Sequence, residues 1–244
     1  MDWSELNELL FADSWNEELA LHRSNYAFRG RSRVDDDLST SLARLGGDPS
    51  ALERPLLRHF RKYAARDAVP EDSTWNWLAL AQHHGLPTRL LDWTFSPYVA
   101  LHFATARPAG DGVIWMVDYV RLHERAPKKL REQLEQEGAN VFTTEMVGAV
   151  AADFDELTAL GDFVVFVEPP SFDERIVNQY ALFSLASRPG LSPDDDLLRK
   201  IVVPEELKWE VRDKLDQANI TERVLFPGLD GLARWLARYY APRR

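Results

Sequence analysis

The segment 82–97, QHHGLPTRLLDWTFSP, limits the fold of this chain more than any other stretch. Gly85 and Pro87 are typical of a helix end, and Ser96-Pro97 is typical of a helix start, because serine caps free N–H groups and proline fits the first turn. The residues between them, 89–94, predict a strand. The chain must therefore place a short strand directly between two helices. The segment also carries more polar groups than folding requires, which indicates binding or chemistry.

The composition predicts one domain without disulfides or membrane spans. The chain has 244 residues, 45% of them apolar, with eight tryptophans, and this is enough to bury a substantial core. The 29 basic and 39 acidic residues argue against a general binder of nucleic acids or anionic membranes. There is no cysteine, no basic leader before an apolar core, and no apolar run near the ~20 residues of a membrane span. We therefore expect a cytoplasmic protein that does not enter the membrane.

The pattern of apolar residues predicts an α+β fold, with a single domain over 1–244. Helices are expected at 3–10, 52–64, 75–84, 97–104 and 232–239, and strands at 26–28, 89–94, 113–117, 163–167, 182–186, 200–203 and 224–226. Strands and helices do not alternate in a strict βαβ order, which favours central mixed or antiparallel sheets flanked by helices. The charged stretch at about 121–160 is expected to be a peripheral helical insertion.

Phe28-Arg29-Gly30 places an arginine at the end of a predicted strand. The planar guanidinium offers several donors to a phosphate or a ribose, and a glycine lets the backbone approach a ligand closely. A surface arginine before a turn glycine has the same sequence. The pattern alone leaves both interpretations open.

His83 and His84 are candidates for proton transfer or for a hydrogen bond to a ligand. Adjacent histidines on a helix point roughly 100° apart, so they do not favour binding one metal ion together. The chain also lacks cysteine and a His-x-x-x-His pair, and we expect no metal. The alternative for either residue is a core histidine bonded to a backbone carbonyl.

Arg89 and Asp92 are three residues apart on a predicted strand. They therefore face opposite sides, and each should meet a group from another element. Asp92 is expected to hold Arg29 or a histidine. A structural buried pair is an equally good interpretation.

Three further polar residues flank predicted elements. Ser96 is explained by helix capping, whereas Thr94 lies where helix N–H groups favour an anion. Gln179 precedes an apolar strand, where its amide is a candidate for contacting a ribose hydroxyl. A glutamine in a turn is the alternative.

Taken together and in order, these motifs resemble the FRG domain family, which is named for its Phe-Arg-Gly motif. The matching residues are Phe28-Arg29-Gly30, 82–94, Ser96-Pro97, 100–104, Arg175-Ile176, Gln179, Phe183 and 226–231. The resemblance covers nearly the whole chain apart from the helical insertion. It implies a fold of the ADP-ribosyltransferase type. In that fold an early Arg or His holds NAD, a hydroxyl-bearing strand and an Ala/Phe-rich helix follow, and a late Glu or Gln completes the site.

The resemblance implies roles for individual residues, with NAD as co-substrate. Catalytic roles fall to Arg29, His83 and Gln179, and NAD-binding roles to Arg29, Gly30, His84, Arg89, Asp92, Thr94 and Ser96. Many such transferases carry a late Glu where this chain has Gln179. Glu174, Glu168 and Glu53 therefore stay open as alternative acids.

The implied activity is cleavage of the nicotinamide–ribose bond of NAD, by an ADP-ribosyltransferase or a glycohydrolase. The acceptor would be a protein or a nucleic acid, with RNA or DNA bound by the basic cluster Arg54 to Arg66. Such an enzyme would fit a toxin or an anti-phage defence effector with an antitoxin-like protein partner. Two alternatives are open: a catalytically inactive sensor of nucleotides or nucleic acids, and a metal-independent RNA-processing enzyme using Arg29, His83 and His84.

Overall fold

The computed structural model describes residues 1–17, 20–65 and 68–242. The helices are α1 Trp3–Leu10, α2 Ser41–Arg44, α3 Pro49–Tyr63, α4 Thr74–His83, α5 Pro97–Ala104, α6 Tyr119–His123, α7 Lys128–Glu137, α8 Thr144–Val150, α9 Phe154–Ala159, α10 Glu174–Asn178, α11 Lys208–Gln217, α12 Glu222–Leu225 and α13 Leu229–Tyr239. The strands are β1 Trp15–Asn16, β2 Leu21–His22, β3 Tyr26–Arg31, β4 Leu90–Thr94, β5 Gly112–Asp118, β6 Phe142–Thr143, β7 Val164–Glu168, β8 Ala181–Ala186 and β9 Leu198–Val203. Short 3-10 turns lie at Asp195–Leu197 and Glu205–Leu207.

One large mixed sheet forms the centre of the fold, in the order β6-β7-β8-β4-β3-β5-β9. All of its neighbours are antiparallel except β6 and β7, which are parallel. Helices flank the sheet, so the α+β prediction is confirmed. Six of the predicted strands start within two residues of the expected positions. Strand β3 starts as predicted but extends further, to Arg31. No helix in the described ranges is long and apolar enough to cross a bilayer.

A seam divides this sheet into two halves. β3 pairs with β5 along its whole length, from Tyr26↔Asp118 to Arg31↔Val113. β4 likewise pairs with β8 over all five of its residues. Between β3 and β4, however, the register contains only Phe28↔Thr94. The two strands diverge on the Arg31 side of that pair, which opens the sheet at its middle.

Helix α5 lies very close to strand β3, and Gly30 is the residue that permits this approach. A Cβ atom at position 30 would lie 1.8 Å from the carbonyl oxygen of Ala100 and 2.8 Å from the amide nitrogen of Ala104. Gly112, in the neighbouring strand β5, meets the same helix, with 2.3 Å from a hypothetical Cβ to the Ala104 oxygen. Glycine is therefore required here by backbone packing. Ligand approach, the reason predicted from the sequence, stays a prediction for Gly30.

We predict that Gly30→Ala lowers the free energy of unfolding by about 1–3 kcal/mol or more, because the added methyl group meets backbone that cannot rotate away. Urea denaturation checks this. Gly148→Ala is the matched control, since a Cβ there would lie 3.5 Å from the Trp75 ring. Position 148 is in helix α8, where alanine is favoured over glycine by about 1 kcal/mol, so Gly148→Ala should not lower the free energy of unfolding. Wild-type stability in Gly30→Ala would contradict the packing explanation.

The stretch 121–160 is largely helical, as predicted, but it is not peripheral. Its strand β6 pairs with β7 at the edge of the main sheet. Leu130, Phe142 and Leu157 are fully buried in the largest core cluster, together with Trp75 of helix α4. Charged residues dominate the sequence of helix α7, yet its few leucines recur on one face and are enough to bury it.

The strand predicted at 224–226 is wrong, since Glu222–Leu225 is the short helix α12. A run of three apolar residues is too short to separate strand from helix by periodicity. Buried charges fix this helix. The Arg212 guanidinium donates to Nδ1 of His102 on α5 (2.9 Å) and to Glu222 (3.3 Å), and Arg238 of α13 donates to Glu222 (2.7 Å). Burial opposes ionisation of Glu222, but these cations outweigh it and lower its pKa to about 2.

Candidate functional site

A cavity of about 560 Å³ lies where strands β3 and β4 diverge, and we call it the seam cavity. Its walls come from β3, β4, the end of α4, helix α10 and the start of β8. The residues predicted for the site that line it are Arg29, Gly30, His83, His84, Asp92, Thr94 and Gln179. Residues distant in the sequence thus meet in one place. Arg89 and Ser96, the other two predicted residues, do not line it.

Arg29 is the buried cation of the seam cavity, with 7% of the residue exposed. Its Nη1 donates to the backbone carbonyl of Asp92 and lies 3.8 Å from the Asp92 carboxylate. Its Nε is buried without a hydrogen-bond partner within the described ranges. Burial lowers the pKa of Arg29 to about 10, although the Asp92 charge acts in the opposite direction. A buried guanidinium with a free donor is stabilised by an anion.

Asp92 presents a fixed carboxylate opposite Arg29, with 62% of its side chain exposed. The Gln82 amide holds it, because Nε2 lies 3.0 Å from both carboxylate oxygens. The Gln82 Oε1 in turn accepts a hydrogen bond of 2.6 Å from the Thr88 hydroxyl. Of the cavity-lining residues in the described part of the chain, Asp92 alone bears a carboxylate. The expectation that Asp92 pairs with Arg29 agrees with this geometry.

His83 and His84 differ in their surroundings. The His83 side chain is 8% exposed, and its Nε2 lies 2.7 Å from the Asp173 carboxylate, which also caps helix α10. Burial acts to raise the pKa of Asp173, but the Ile176 amide and His83 outweigh it, and the net shift is downward. The pair therefore orients the His83 ring and leaves Nδ1 for a ligand or proton. His84 is exposed and stacks edge-on against His83.

Thr94, Ser96 and Gln179 are engaged with the protein itself. The Thr94 hydroxyl donates to the Gln179 carbonyl (2.7 Å) and accepts from the Ser96 amide (3.0 Å). The Ser96 side chain accepts from the Val99 amide and caps helix α5, and this capping explains why Ser96 does not reach the cavity. The Gln179 amide donates to the Leu225 carbonyl at 2.7 Å. Gln179 therefore joins the cavity wall to helix α12.

Arg89 was predicted to bind the cofactor, and this is wrong, because its side chain is buried just before strand β4 and does not line the cavity. Its guanidinium forms a buried ion pair with Glu53 of helix α3 and donates to the carbonyls of Ala186 and Ser187. Glu53 is 2% exposed and is fully committed to Arg89. It is therefore not a candidate catalytic acid. Glu168 and Glu174 do not line the cavity either.

We predict that Glu53→Gln costs about 3–5 kcal/mol of unfolding free energy, because it leaves the Arg89 charge buried without a counter-ion. Thermal and urea denaturation measure this. The control is Arg54→Gln at the next position of the helix, since Arg54 forms an exposed pair with Asp155. Such a pair contributes about 1 kcal/mol or less. Equal stabilities of the two variants would contradict the role assigned to the buried pair.

Three arginines that line the cavity were not among the predicted site residues: Arg31, Arg44 and Arg175. Arg31 is paired with Asp36 at 3.1 Å. Arg175 packs its guanidinium over the Phe226 ring, 5.2 Å from the centroid, and its Nε is buried without a hydrogen-bond partner in the described ranges. The FRG resemblance includes Arg175, whereas no sequence signal marks Arg44. The cavity is therefore strongly cationic in a chain of net charge −10.

The basic cluster on helix α3 is partly neutralised. Arg54 pairs with Asp155 and Arg61 with Asp72. Arg58 and Lys62 make no ion pair with the described part of the chain, and Arg66 lies outside the described residues. No group of three or more His, Cys, Asp or Glu able to hold a metal ion occurs within the described residues.

Comparison with known proteins supports the resemblance over residues 24–111 of the 244. Residues 24–111 match the family model described as FRG domain. This segment contains Arg29, Gln82, His83 and Asp92, whereas Arg175 and Gln179 come after it. The comparisons found no matching curated protein and no matching solved structure.

Proposed function

Taking residues 24–111 as an FRG-type segment, we propose that the protein binds NAD in the seam cavity and cleaves its nicotinamide–ribose bond, as an ADP-ribosyltransferase or an NAD glycohydrolase. The observation that carries the proposal is the buried Arg29 guanidinium, whose Nε has no partner in the described ranges. Arg175 adds a second such Nε in the same lining. A pyrophosphate is an anion that matches guanidinium donors in charge and geometry.

The polar residues around Arg29 suit this reaction. As nicotinamide leaves, the ribose gains positive charge, which the Asp92 carboxylate would stabilise. Water or an acceptor group then bonds to the ribose carbon and loses a proton. His83, oriented by Asp173, is the base that would take this proton. For a nucleic-acid acceptor, Arg58 and Lys62 on helix α3 would supply phosphate contacts.

A second candidate is a nucleotide sensor without turnover. Two observations favour it: no glutamate is among the described cavity-lining residues, and the Gln179 amide is occupied by the Leu225 carbonyl. A sensor would use Arg29 for binding in the same way. The enzyme and the sensor would therefore bind the same ligand, and only the enzyme would cleave it.

We predict that Arg29→Met weakens ADP-ribose binding at least tenfold, because a hydrogen bond to a charged group contributes about 1.5–3 kcal/mol. Methionine fills similar space without a buried charge, so the fold should persist, and circular dichroism checks this. Asp92→Asn should keep ADP-ribose binding but slow nicotinamide release from NAD. Calorimetry measures ADP-ribose binding, and chromatography measures nicotinamide release.

Arg107→Gln is the control, since Arg107 is exposed and lies outside the seam cavity. It should behave as wild type in both assays. Saturable ADP-ribose binding without nicotinamide release would select the sensor. The proposal is contradicted if the wild-type protein neither binds ADP-ribose nor releases nicotinamide from NAD.

A further inference from the structure

A second cavity, of about 760 Å³, adjoins the seam cavity, and we call it the α3–α4 groove. Its walls include Leu56, Phe60 and Tyr63 of helix α3 and Phe172 from the loop before helix α10. His84 and Leu86 line both cavities, so these two side chains lie between the two spaces. Asp173, at the edge of the groove, holds His83 on the seam side.

The two cavities differ in chemistry. The seam cavity is lined by arginines, among them Arg29, whose buried Nε has no hydrogen-bond partner in the described ranges. The groove is mainly apolar and aromatic, and apart from Tyr63 its ionisable lining residues in the described ranges are His59, His84 and Asp173. Tyr63 stands at its rim with 79% of the residue exposed, and the Lys62 ammonium lies 5.1 Å from its ring centroid. An exposed aromatic ring with a cation over one face can stack a planar ring on its other face.

We infer that the α3–α4 groove receives the planar base of the same ligand whose anionic group lies at Arg29. A base in the groove would extend past His84 and Leu86 and remain joined to the anionic group in the seam cavity. Both volumes are in the range of small-molecule sites, and a polar lobe joined to an apolar one matches a nucleotide. The ligand class is thus a nucleotide read by phosphate and by base. The inference rests on the anion site of the proposed function and not on NAD cleavage.

Calorimetric titration with inorganic pyrophosphate, ribose 5-phosphate, AMP and ADP-ribose tests this inference. AMP differs from ribose 5-phosphate by the base alone, and stacking on an aromatic side chain contributes about 1–3 kcal/mol per base. We expect the wild type to bind AMP about tenfold more tightly than ribose 5-phosphate. Tyr63→Ala should remove most of this difference and leave binding of pyrophosphate and ribose 5-phosphate unchanged. Tyr63→Phe should retain it.

Tyr240→Ala is the control, because Tyr240 is 77% exposed and lies outside both cavities. Equal affinities of the wild type for AMP and ribose 5-phosphate would overturn the inference. An AMP affinity that Tyr63→Ala leaves unchanged would also overturn the inference. If this variant lowers transfer to an acceptor as well, the groove is the acceptor site. Base-dependent binding that needs Tyr63, without nicotinamide release, supports the inference even though the proposed cleavage fails.

Discussion

The burial of the Arg29 guanidinium at the sheet seam is the interaction on which the site depends. Strands β3 and β4 pair only at Phe28↔Thr94, and the Arg29 side chain occupies the gap that follows. There it donates a hydrogen bond to the Asp92 carbonyl, because no residue of β3 is paired with Asp92. An uncompensated buried charge costs several kcal/mol, and the exposed Asp92 carboxylate compensates only in part. The fold therefore leaves a cation that an incoming anion would stabilise.

The walls of this site are held by contacts that reach across the chain. Gln82, at the end of α4, fixes Asp92, and Gln179, after α10, is bonded to α12. Helix α12 is itself anchored by the charge network around Glu222. Helix α5 is packed against β3 through Gly30. The cavity is consequently a product of the whole fold, and groups held in position in this way bind without a large ordering cost.

The sequence predicted the elements of this fold better than their packing. Periodicity located six of the main strands, since their apolar runs are long enough to identify. It also predicted that Arg89 and Asp92 each meet a group from another element, and this agrees with the structure. Which of the two faces the cavity depends on where α3 packs, and no local pattern contains that information. For the same reason Arg44 was missed, and the contact of Gly30 with helix α5 was not predicted.

A crystal structure with ADP-ribose bound tests the central claim most directly, because it measures where the anion lies relative to Arg29. We expect a pyrophosphate oxygen at a charged hydrogen-bond distance of about 2.7–2.9 Å from the Arg29 guanidinium, with Nε among the donors. The Asp92 carboxylate should then face the ribose. ADP-ribose bound elsewhere on the protein, or bound in the cavity with Arg29 Nε still unpartnered, would contradict the account.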